Sequence, residues 1–121
     1  WGEVYISIAH KDGIGIATAS RTPEVGVDLE RIEERTKGFE SLAFTEADLK
    51  CLPVEDRDEW LTRAWCGKEA RGKAKGTGLQ FSPKSWSISE QSDERLCIDE
   101  KWVETRRDGQ YVIAWTREER T

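Results

Sequence analysis

The chain lacks methionine entirely, and it has one histidine, three cysteines and three prolines among 121 residues. No apolar run approaches the roughly 20 residues that a membrane-spanning helix needs, so we expect no contact with a membrane. Cys51, Cys66 and Cys97 lie far apart and form no C-x-x-C pair, which argues against a disulfide framework or a zinc site. We expect reduced thiols in a cytoplasmic protein.

The absence of methionine extends to position 1, where the chain opens with Trp-Gly-Glu. This opening suggests a segment cut from a longer polypeptide. The length fits a single domain over residues 1–121, and six tryptophans supply much of the expected core volume. The net charge of -5 argues against a general nucleic-acid binder, although clustered cations can still bind a polyanion locally.

Two segments near the start alternate apolar with small or polar residues, at 4–9 and 14–19. The intervening His-Lys-Asp-Gly contains a turn signal, so the pattern predicts a β-hairpin with its turn at 10–13. A third strand is predicted at 25–30. Later strands are predicted at 85–89, 95–98, 102–105 and 110–116, with a hairpin turn at 106–109.

The longest helix candidate runs from about Glu55 to Lys75, and its end is expected near 76–78. Gly67 and Gly72 interrupt it, each costing about 1 kcal/mol against alanine. Such glycines often mark a close approach to the backbone. The following residues fall at helical spacing in two adjoining stripes: Trp60, Leu61, Ala64, Trp65 and Lys68 in one, and Trp65, Glu69 and Lys73 in the other.

A shorter helix is predicted at 44–49, with Thr45 as its cap and Asp48 at the third helical position. We find no repeat, low-complexity segment or linker. The expected class is therefore α+β, an antiparallel sheet with one long helix packed on it.

Asp28 and Glu30 lie two residues apart on the strand predicted at 25–30, so both carboxylates project from one face. Two acids on one face repel each other unless a cation lies between them. One interpretation is a solvated strand end. The other is a divalent hard cation such as Mg2+, which takes one or two carboxylates, waters and substrate phosphates.

Glu69 and Lys73 form an i, i+4 pair in the favourable order, in a segment where lysine and arginine surround a single glutamate. A surface ion pair worth about 0.3–0.5 kcal/mol is one interpretation. Combined with Asp28 and Glu30, the pair supplies a third carboxylate for a metal. The lysine lies one helical turn further along, where it could meet phosphate.

The segments VGVDLE (25–30) and WCGKEARGK (65–73), in this order, resemble the 4'-phosphopantetheinyl transferase superfamily. The family pattern is a hydrophobic-Gly-hydrophobic-Asp strand, often continuing to Glu, followed by W-x-x-K-E-A/S-x-x-K on a helix. Three further segments also match it: Gly-Thr-Gly-Leu at 76–79, Ser-Pro-x-x-Trp-Ser-Ile at 82–88 and RRDGQYVIAW at 106–115. The resemblance spans nearly the whole chain and implies the 4'-phosphopantetheinyl transferase fold.

The resemblance implies transfer of 4'-phosphopantetheine from coenzyme A to a serine of an apo acyl or peptidyl carrier protein, with release of adenosine 3',5'-bisphosphate. Asp28, Glu30 and Glu69 would hold Mg2+ against the coenzyme A pyrophosphate. Lys73 would contact phosphate and offset charge on the leaving group. Glu69, or a water held by the metal, is the candidate to take the serine proton.

Two further residues match the family pattern with alternative roles. Lys68 would pair structurally or contact phosphate. His10 resembles the histidine of an "SHS" motif in the surfactin-synthetase-activating branch and would lie near the nucleotide 3'-phosphate; the other interpretation is a satisfied turn residue. The flanking serines of that motif are Ala9 and Lys11 here, which removes two hydroxyls and adds a cation.

The resemblance places carrier docking at about 37–49, where Phe39, Leu42 and Phe44 offer an apolar patch or belong to the core. The chain resembles only the second half of the two-half surfactin-type enzymes, which hold coenzyme A between their halves. We therefore expect a homo-oligomer, with a trimer favoured by likeness to the short holo-acyl-carrier-protein synthases. The missing methionine favours excision from a larger synthase, such as a polyketide synthase or a similar megasynthase, with a role in polyketide or fatty acid biosynthesis.

Two other functions remain open from the sequence. A non-catalytic half-domain would pair with a partner and only dock carrier proteins; the intact Asp28, Glu30, Glu69 and Lys73 argue against such decay. A nucleic-acid-binding module would use the basic helix and its tryptophans. Net charge opposes it, and Glu69 would be misplaced against phosphates without a metal.

Overall fold

Seven strands and three α-helices make up the described part of the computed structural model, residues 2–76 and 83–117. A single 3-10 turn at Pro83–Ser85 precedes the fourth strand. In chain order the elements are β1 (Tyr5–Lys11), β2 (Ile14–Ser20), β3 (Val27–Arg31), α1 (Lys37–Ala43), α2 (Glu46–Lys50), α3 (Arg57–Ala74), β4 (Ile88–Ser92), β5 (Arg95–Ile98), β6 (Lys101–Asp108) and β7 (Tyr111–Thr116).

Five of these strands form one antiparallel sheet in the order β3-β7-β6-β5-β4, and β1 pairs with β2 as a separate hairpin. Helix α3 lies across one face of the larger sheet. A Cβ added to Gly67 in the middle of α3 would come within 2.8 Å of Ile98 Cδ1, so this glycine lets the helix lie close to the sheet. The expected α+β class, with one long helix on an antiparallel sheet, is confirmed.

Strand β3 is buried on both faces, and its alternation assigns each face a different neighbour. Val27 and Leu29 pack with Ala9 of the hairpin. Asp28 pairs across the sheet with Ala114 and Glu30 pairs with Val112, and both of these β7 residues belong to the core beneath α3. The two carboxylates of β3 therefore face the long helix.

The hairpin packs against β3, the terminal strand of the larger sheet, and side-chain hydrogen bonds and ion pairs help to hold it there. Val27 N donates to Ser7 Oγ at 3.0 Å. Further along, Asp12 accepts from the Tyr111 hydroxyl at 3.0 Å and forms an ion pair with Arg31 at 3.4 Å. On β1, the inward residues Ser7 and Ala9 are buried, whereas the alternate positions face outward.

The N-terminal hairpin and the third strand confirm the sequence prediction, whereas one later helix and two later boundaries differ from it. Helix α1 was not predicted. Strand β4 begins at Ile88, because the predicted start near Ser85 is occupied by the 3-10 turn. The turn predicted at 106–109 lies later, since Asp108 still pairs with Tyr111 and Gly109 takes a left-handed φ of 61°.

The two predicted helices have nearly the predicted bounds. Helix α3 ends at Ala74, and Gly76 follows with a φ of 78°, as at many helix ends; residues 77 and 78 lie outside the described residues. Thr45 caps α2 in a capping box with Asp48, as predicted. None of the described helices is both long enough and apolar enough to cross a bilayer.

Gly26 sets the distance between β3 and α3. A Cβ at this position would lie 2.0 Å from Ala70 O and 2.7 Å from Ala74 N, and both are backbone atoms of the helix. The backbone of Gly26 is also fixed from the other side, because its N donates to Thr116 Oγ1 at 2.9 Å. Only glycine allows the strand to enter this close to the helix.

We expect Gly26→Ala to lower the free energy of unfolding by about 2–4 kcal/mol, because two backbone segments must separate to admit the methyl group. Urea denaturation of both proteins measures the difference. Gly15→Ala is the control, since a Cβ there meets nothing within 4 Å and its φ is not left-handed. Equal stability of the two variants would show that the strand and helix are not in this close contact.

Candidate functional site

The close approach of β3 to α3 brings four of the predicted site residues into one cluster. Lys73 Nζ of α3 lies 3.3 Å from Asp28 Oδ1 of β3. The charges of Asp28 and Glu30 both act on the carboxyl of Glu69, which lies one helical turn before Lys73. We call Asp28, Glu30 and Glu69 the carboxylate cluster. The sequence predicted this grouping, although only the fold brings the two segments together.

Lys73 joins three different backbone or side-chain groups. Its ammonium donates to Val27 O at 3.0 Å, to Ile8 O at 3.3 Å and to Asp28 Oδ1 at 3.3 Å. Ile8 belongs to the hairpin, so this one side chain links α3, β3 and β1. All three ammonium hydrogens have acceptors in this conformation, and the side chain remains partly open to solvent.

Asp28 is held by one cation on one of its two oxygens. Burial raises the pKa of its carboxyl, and the neighbouring Lys73 opposes that rise. The second oxygen, Oδ2, is buried and accepts no hydrogen bond of good geometry among the described residues. The Cys66 thiol is a polar neighbour of the carboxyl, and this contact lowers the pKa of Asp28 and raises that of Cys66. An unsatisfied buried carboxylate oxygen is costly, so this atom marks a place where an additional positive group would stabilise the protein.

Glu30 faces two cations from different parts of the chain. Burial and the charge of Asp28 raise the pKa of its carboxyl, whereas Lys11 and Arg35 oppose the rise. Lys11 Nζ lies 3.7 Å from Glu30 Oε1. The sequence placed Lys11 in a turn, but β1 continues through it, and the strand's alternation turns its side chain toward β3.

Glu69 has the largest perturbation in the cluster. Burial first, and then the negative charges of Asp28 and Glu30, raise the pKa of its carboxyl from 4.5 to about 7. Lys73 lowers it by a smaller amount. The negative charge of the cluster is therefore offset in three ways. Lys73 pairs with Asp28, Lys11 pairs with Glu30, and Glu69 is protonated in about half of the molecules at pH 7.

The chemistry of the cluster fits a hard divalent cation. Carboxylate oxygens are the ligands that Mg2+ prefers, and the unsatisfied Oδ2 of Asp28 offers one directly. The described residues contain no set of three or more histidine, cysteine, aspartate or glutamate side chains already arranged around a single point. Holding an ion would thus require Asp28 and Glu30 to exchange ammonium partners for the metal.

Cys66 lies against the cluster from within α3. Its thiol is fully buried, and burial followed by the charges of Asp28 and Glu30 raises its pKa well above the usual value. The thiol lies 3.5 Å from Val112 O, a possible acceptor. Cys66 is therefore a neutral packing residue at neutral pH, and it forms no disulfide.

Lys68 lies in the interior, away from the carboxylate cluster. Its ammonium donates to Ala43 O at 2.9 Å, Asp48 Oδ2 at 2.8 Å and Pro83 O at 2.9 Å. The side chain is fully buried, and the Phe44 ring lies 4.9 Å away. Of the two roles implied by the sequence, these contacts support structural pairing, because a phosphate contact would require one of the three bonds to break.

Asp48 has a structural role that the sequence analysis did not predict. Besides capping α2, its carboxylate accepts from Lys68 and, through Oδ1, from Ile88 N at 2.9 Å. It therefore ties α2 to α3 and to the start of β4. The capping pattern identified Asp48 as a helix cap, but it gave no signal that the carboxylate is buried against a lysine twenty positions later.

His10 lies on the outward face of β1, where its side chain is exposed. Its neighbours on that face are Ile6 and Ile8, whereas Lys11 faces inward. The structure thus brings Lys11, and not His10, to the carboxylate cluster. The predicted proximity of His10 to a nucleotide phosphate stays a prediction.

The predicted docking segment divides into core and surface. Phe44 is buried, and Phe39 packs edge-on against Phe44 and Trp65 with ring centroids 5.9 and 5.4 Å apart. Leu42 is 75% exposed, so of the three apolar residues it alone presents most of its surface to solvent. Carrier docking on this segment stays a prediction.

A family model described as the 4'-phosphopantetheinyl transferase superfamily matches residues 24–120. The match includes β3 and α3, and it begins after the hairpin. No curated protein matches the chain.

We expect the raised pKa of Glu69 to make the stability of the metal-free protein fall as the pH rises from about 4.5 to about 7. In this window the folded state holds a proton that the unfolded state has released, so the free energy of unfolding decreases with pH, by at most about 3 kcal/mol from this group. Glu69→Gln should flatten that part of the curve.

Urea denaturation at several pH values in the presence of a chelator measures this slope. Glu55→Gln is the control, since Glu55 is exposed just before α3. An unchanged slope in Glu69→Gln would mean that another group carries the proton.

We expect Lys68→Met to destabilise the protein by about 3–5 kcal/mol, because it leaves the buried Asp48 carboxylate without its cation. Lys75→Met, just after the end of the same helix and more exposed, should change the free energy of unfolding by less than about 0.5 kcal/mol. Chemical denaturation compares them. If Lys68→Met kept full stability and lost only coenzyme A binding, the phosphate-contact role would be the correct one.

Proposed function

The chain belongs to the 4'-phosphopantetheinyl transferase superfamily, and we propose that it transfers 4'-phosphopantetheine from coenzyme A to a serine hydroxyl of an apo carrier protein. One observation carries the proposal: β3 and α3 place Asp28, Glu30 and Glu69 in one electrostatically coupled cluster with Lys73 beside it. The serine oxygen bonds to the phosphorus of the pantetheine phosphate. The bond from that phosphorus to the pyrophosphate bridging oxygen breaks, and adenosine 3',5'-bisphosphate leaves.

We propose that Asp28, Glu30 and Glu69 hold the Mg2+ on which the reaction depends. When bound, the ion supplies positive charge that neutralises the pyrophosphate oxygens. The unsatisfied Oδ2 of Asp28 and the elevated pKa values of all three acids support this assignment, because both indicate an unmet need for positive charge.

Lys73 is the group that we assign to the phosphate. Its ammonium is partly exposed and sits at the edge of the carboxylate cluster, so an incoming anion can reach it. A lysine at this place stabilises the negative charge that develops on the leaving phosphate. Its present acceptors are two carbonyl oxygens and one carboxylate oxygen, all of which a phosphate oxygen can replace.

Glu69 is the candidate general base. Its pKa of about 7 applies to the metal-free protein, and a bound Mg2+ would lower that pKa. The proton acceptor would therefore be either Glu69 or a water held by the ion. The same burial that raises the pKa of Glu69 keeps competing water from much of its surface. When Glu69 is the acceptor, it takes the proton that the serine hydroxyl loses.

We further propose that the protein acts as a homo-oligomer, with a trimer favoured, in the setting of polyketide or fatty-acid biosynthesis. The hairpin lies next to Lys73, and its outer side exposes Val4, Ile6 and Ile8, each by more than half. A group of large apolar side chains on one exposed face is unusual for a monomer and is more typical of a protein–protein interface. A neighbouring subunit there would lie beside the proposed coenzyme A site.

The decisive experiment is mass spectrometry of an apo carrier protein incubated with this protein, coenzyme A and Mg2+. We expect the carrier to gain the mass of phosphopantetheine. Glu69→Gln and Asp28→Asn should each slow the transfer by about 100-fold or more, because each removes a carboxylate of the cluster.

Glu24→Gln is the matched control, since Glu24 lies four positions before Asp28 but pairs with Lys101 and Lys75, not with a residue of the cluster. It should retain wild-type rates. No gain of mass with any apo acyl or peptidyl carrier, despite binding of coenzyme A, would favour the non-catalytic half-domain. A monomer in light scattering that still turns over coenzyme A would contradict the oligomer.

A further inference from the structure

Lys11 brings a second ammonium group to the carboxylate cluster from the hairpin. Its Nζ lies 3.7 Å from Glu30 Oε1, as Lys73 Nζ lies 3.3 Å from Asp28 Oδ1. Each of the two strand carboxylates therefore has its own lysine. The two lysines belong to different elements, β1 and α3, so the fold positions each of them at the cluster independently.

The two lysines lie nearer to solvent than the acids that they neutralise. The side chains of Lys11 and Lys73 are 41% and 32% exposed, against 15% for Glu30 and 12% for Asp28. An anionic ligand arriving from solvent therefore meets ammonium groups before carboxylates. This order suits a ligand that carries phosphate and is accompanied by a metal ion.

The backbone that carries Lys11 is fixed on both sides of it. Ser7 Oγ accepts from Val27 N on one side, and Asp12 binds the Tyr111 hydroxyl and Arg31 on the other. Lys11 is thus held at the cluster by contacts that do not involve its own ammonium group. The side chain is free to change acceptor without releasing the hairpin.

A simpler interpretation is that the Lys11–Glu30 ion pair only attaches the hairpin to β3. The hairpin, however, already has the other attachments on both sides of Lys11, so this ion pair is not needed to hold it. Glu30 also has Arg35 nearby, which lowers its pKa independently of Lys11. If Glu30 binds a metal ion, Lys11 loses its carboxylate to that ion and its ammonium becomes available.

We propose that Lys11 is a pyrophosphate-binding residue of this site, neutralising Glu30 in the metal-free protein and binding a phosphate oxygen of coenzyme A once the ion is in place. The inference depends on the proposed function. It assigns a specific task to the cation that this chain has where the resembling motif has a serine.

The proposal requires opposite effects on two ligands when the charge of Lys11 is removed. In Lys11→Gln, Mg2+ alone should bind about twofold to fivefold more tightly, because a competing cation has gone. Coenzyme A at saturating Mg2+ should bind about tenfold more weakly, because a charge-assisted contact to phosphate has gone. Lys11→Arg should keep both affinities near those of the wild type.

Isothermal titration calorimetry on the full chain tests this with three probes: Mg2+ alone, coenzyme A with Mg2+, and dephospho-coenzyme A with Mg2+. The last probe lacks the 3'-phosphate but keeps the pyrophosphate. If Lys11 binds the pyrophosphate, Lys11→Gln should therefore lower the affinities for coenzyme A and for dephospho-coenzyme A by the same factor. Lys101→Gln is the matched control, because Lys101 is 40% exposed and forms one ion pair with Glu24 at 3.1 Å. It should change each affinity by less than about twofold.

The outcomes separate this inference from the proposed function. If the wild type fails to bind coenzyme A, the proposed function is wrong. If the wild type binds and Lys11→Gln behaves like Lys101→Gln, the role of Lys11 is wrong while the function stands. If Lys11→Gln binds both Mg2+ and coenzyme A more weakly and has a lower melting temperature, Lys11 serves only to attach the hairpin to β3, and the proposed phosphate contact is wrong. A defect seen only with coenzyme A would assign Lys11 to the 3'-phosphate and overturn the pyrophosphate contact.

Discussion

The contact between the backbone of Gly26 and the backbone of α3 is the constraint on which the site depends. Ala70 O and Ala74 N leave no room for a side chain there, so β3 passes the helix at minimal distance. Two residues later the strand presents Asp28 to the same helix, within reach of Lys73. A wider separation would leave the acids of the strand and the glutamate of the helix too far apart to affect each other's pKa.

That proximity creates an electrostatic difficulty which the fold resolves with its own cations. Three acids share a partly buried region, and burial raises the pKa of each. The lysines that offset this charge are the more exposed members of the group, so they can be replaced without opening the core. In contrast, the fully buried Lys68–Asp48 pair has no such access and serves the architecture instead. Lys68 and Glu69 are adjacent on one helix, yet Lys68 binds Asp48 in the interior while Glu69 belongs to the carboxylate cluster.

Period-two alternation was sufficient to place Asp28 and Glu30 on one face, and the helical spacing was sufficient to place Glu69 with Lys73. Helix α1 was missed because it is only seven residues long and contains Gly38, although Phe39, Leu42 and Ala43 fall at helical spacing and Thr36 caps it. The faces of α3 could not be assigned, because it buries Thr62, Arg63, Lys68 and Arg71 along with its apolar residues. The contact of Lys11 with the cluster was not predicted, because Lys11 was assigned to a turn, whereas β1 continues through it.

The hairpin is attached to the rest of the protein without a ladder of backbone hydrogen bonds, since β1 and β3 belong to different sheets in the described chain. One of its few polar attachments is the bond from Lys73 Nζ to Ile8 O. Any anion that draws this ammonium away weakens the hairpin's hold, and by thermodynamic reciprocity a firmly seated hairpin disfavours that anion. The N-terminal strands and the occupancy of the site are therefore energetically linked through Lys73.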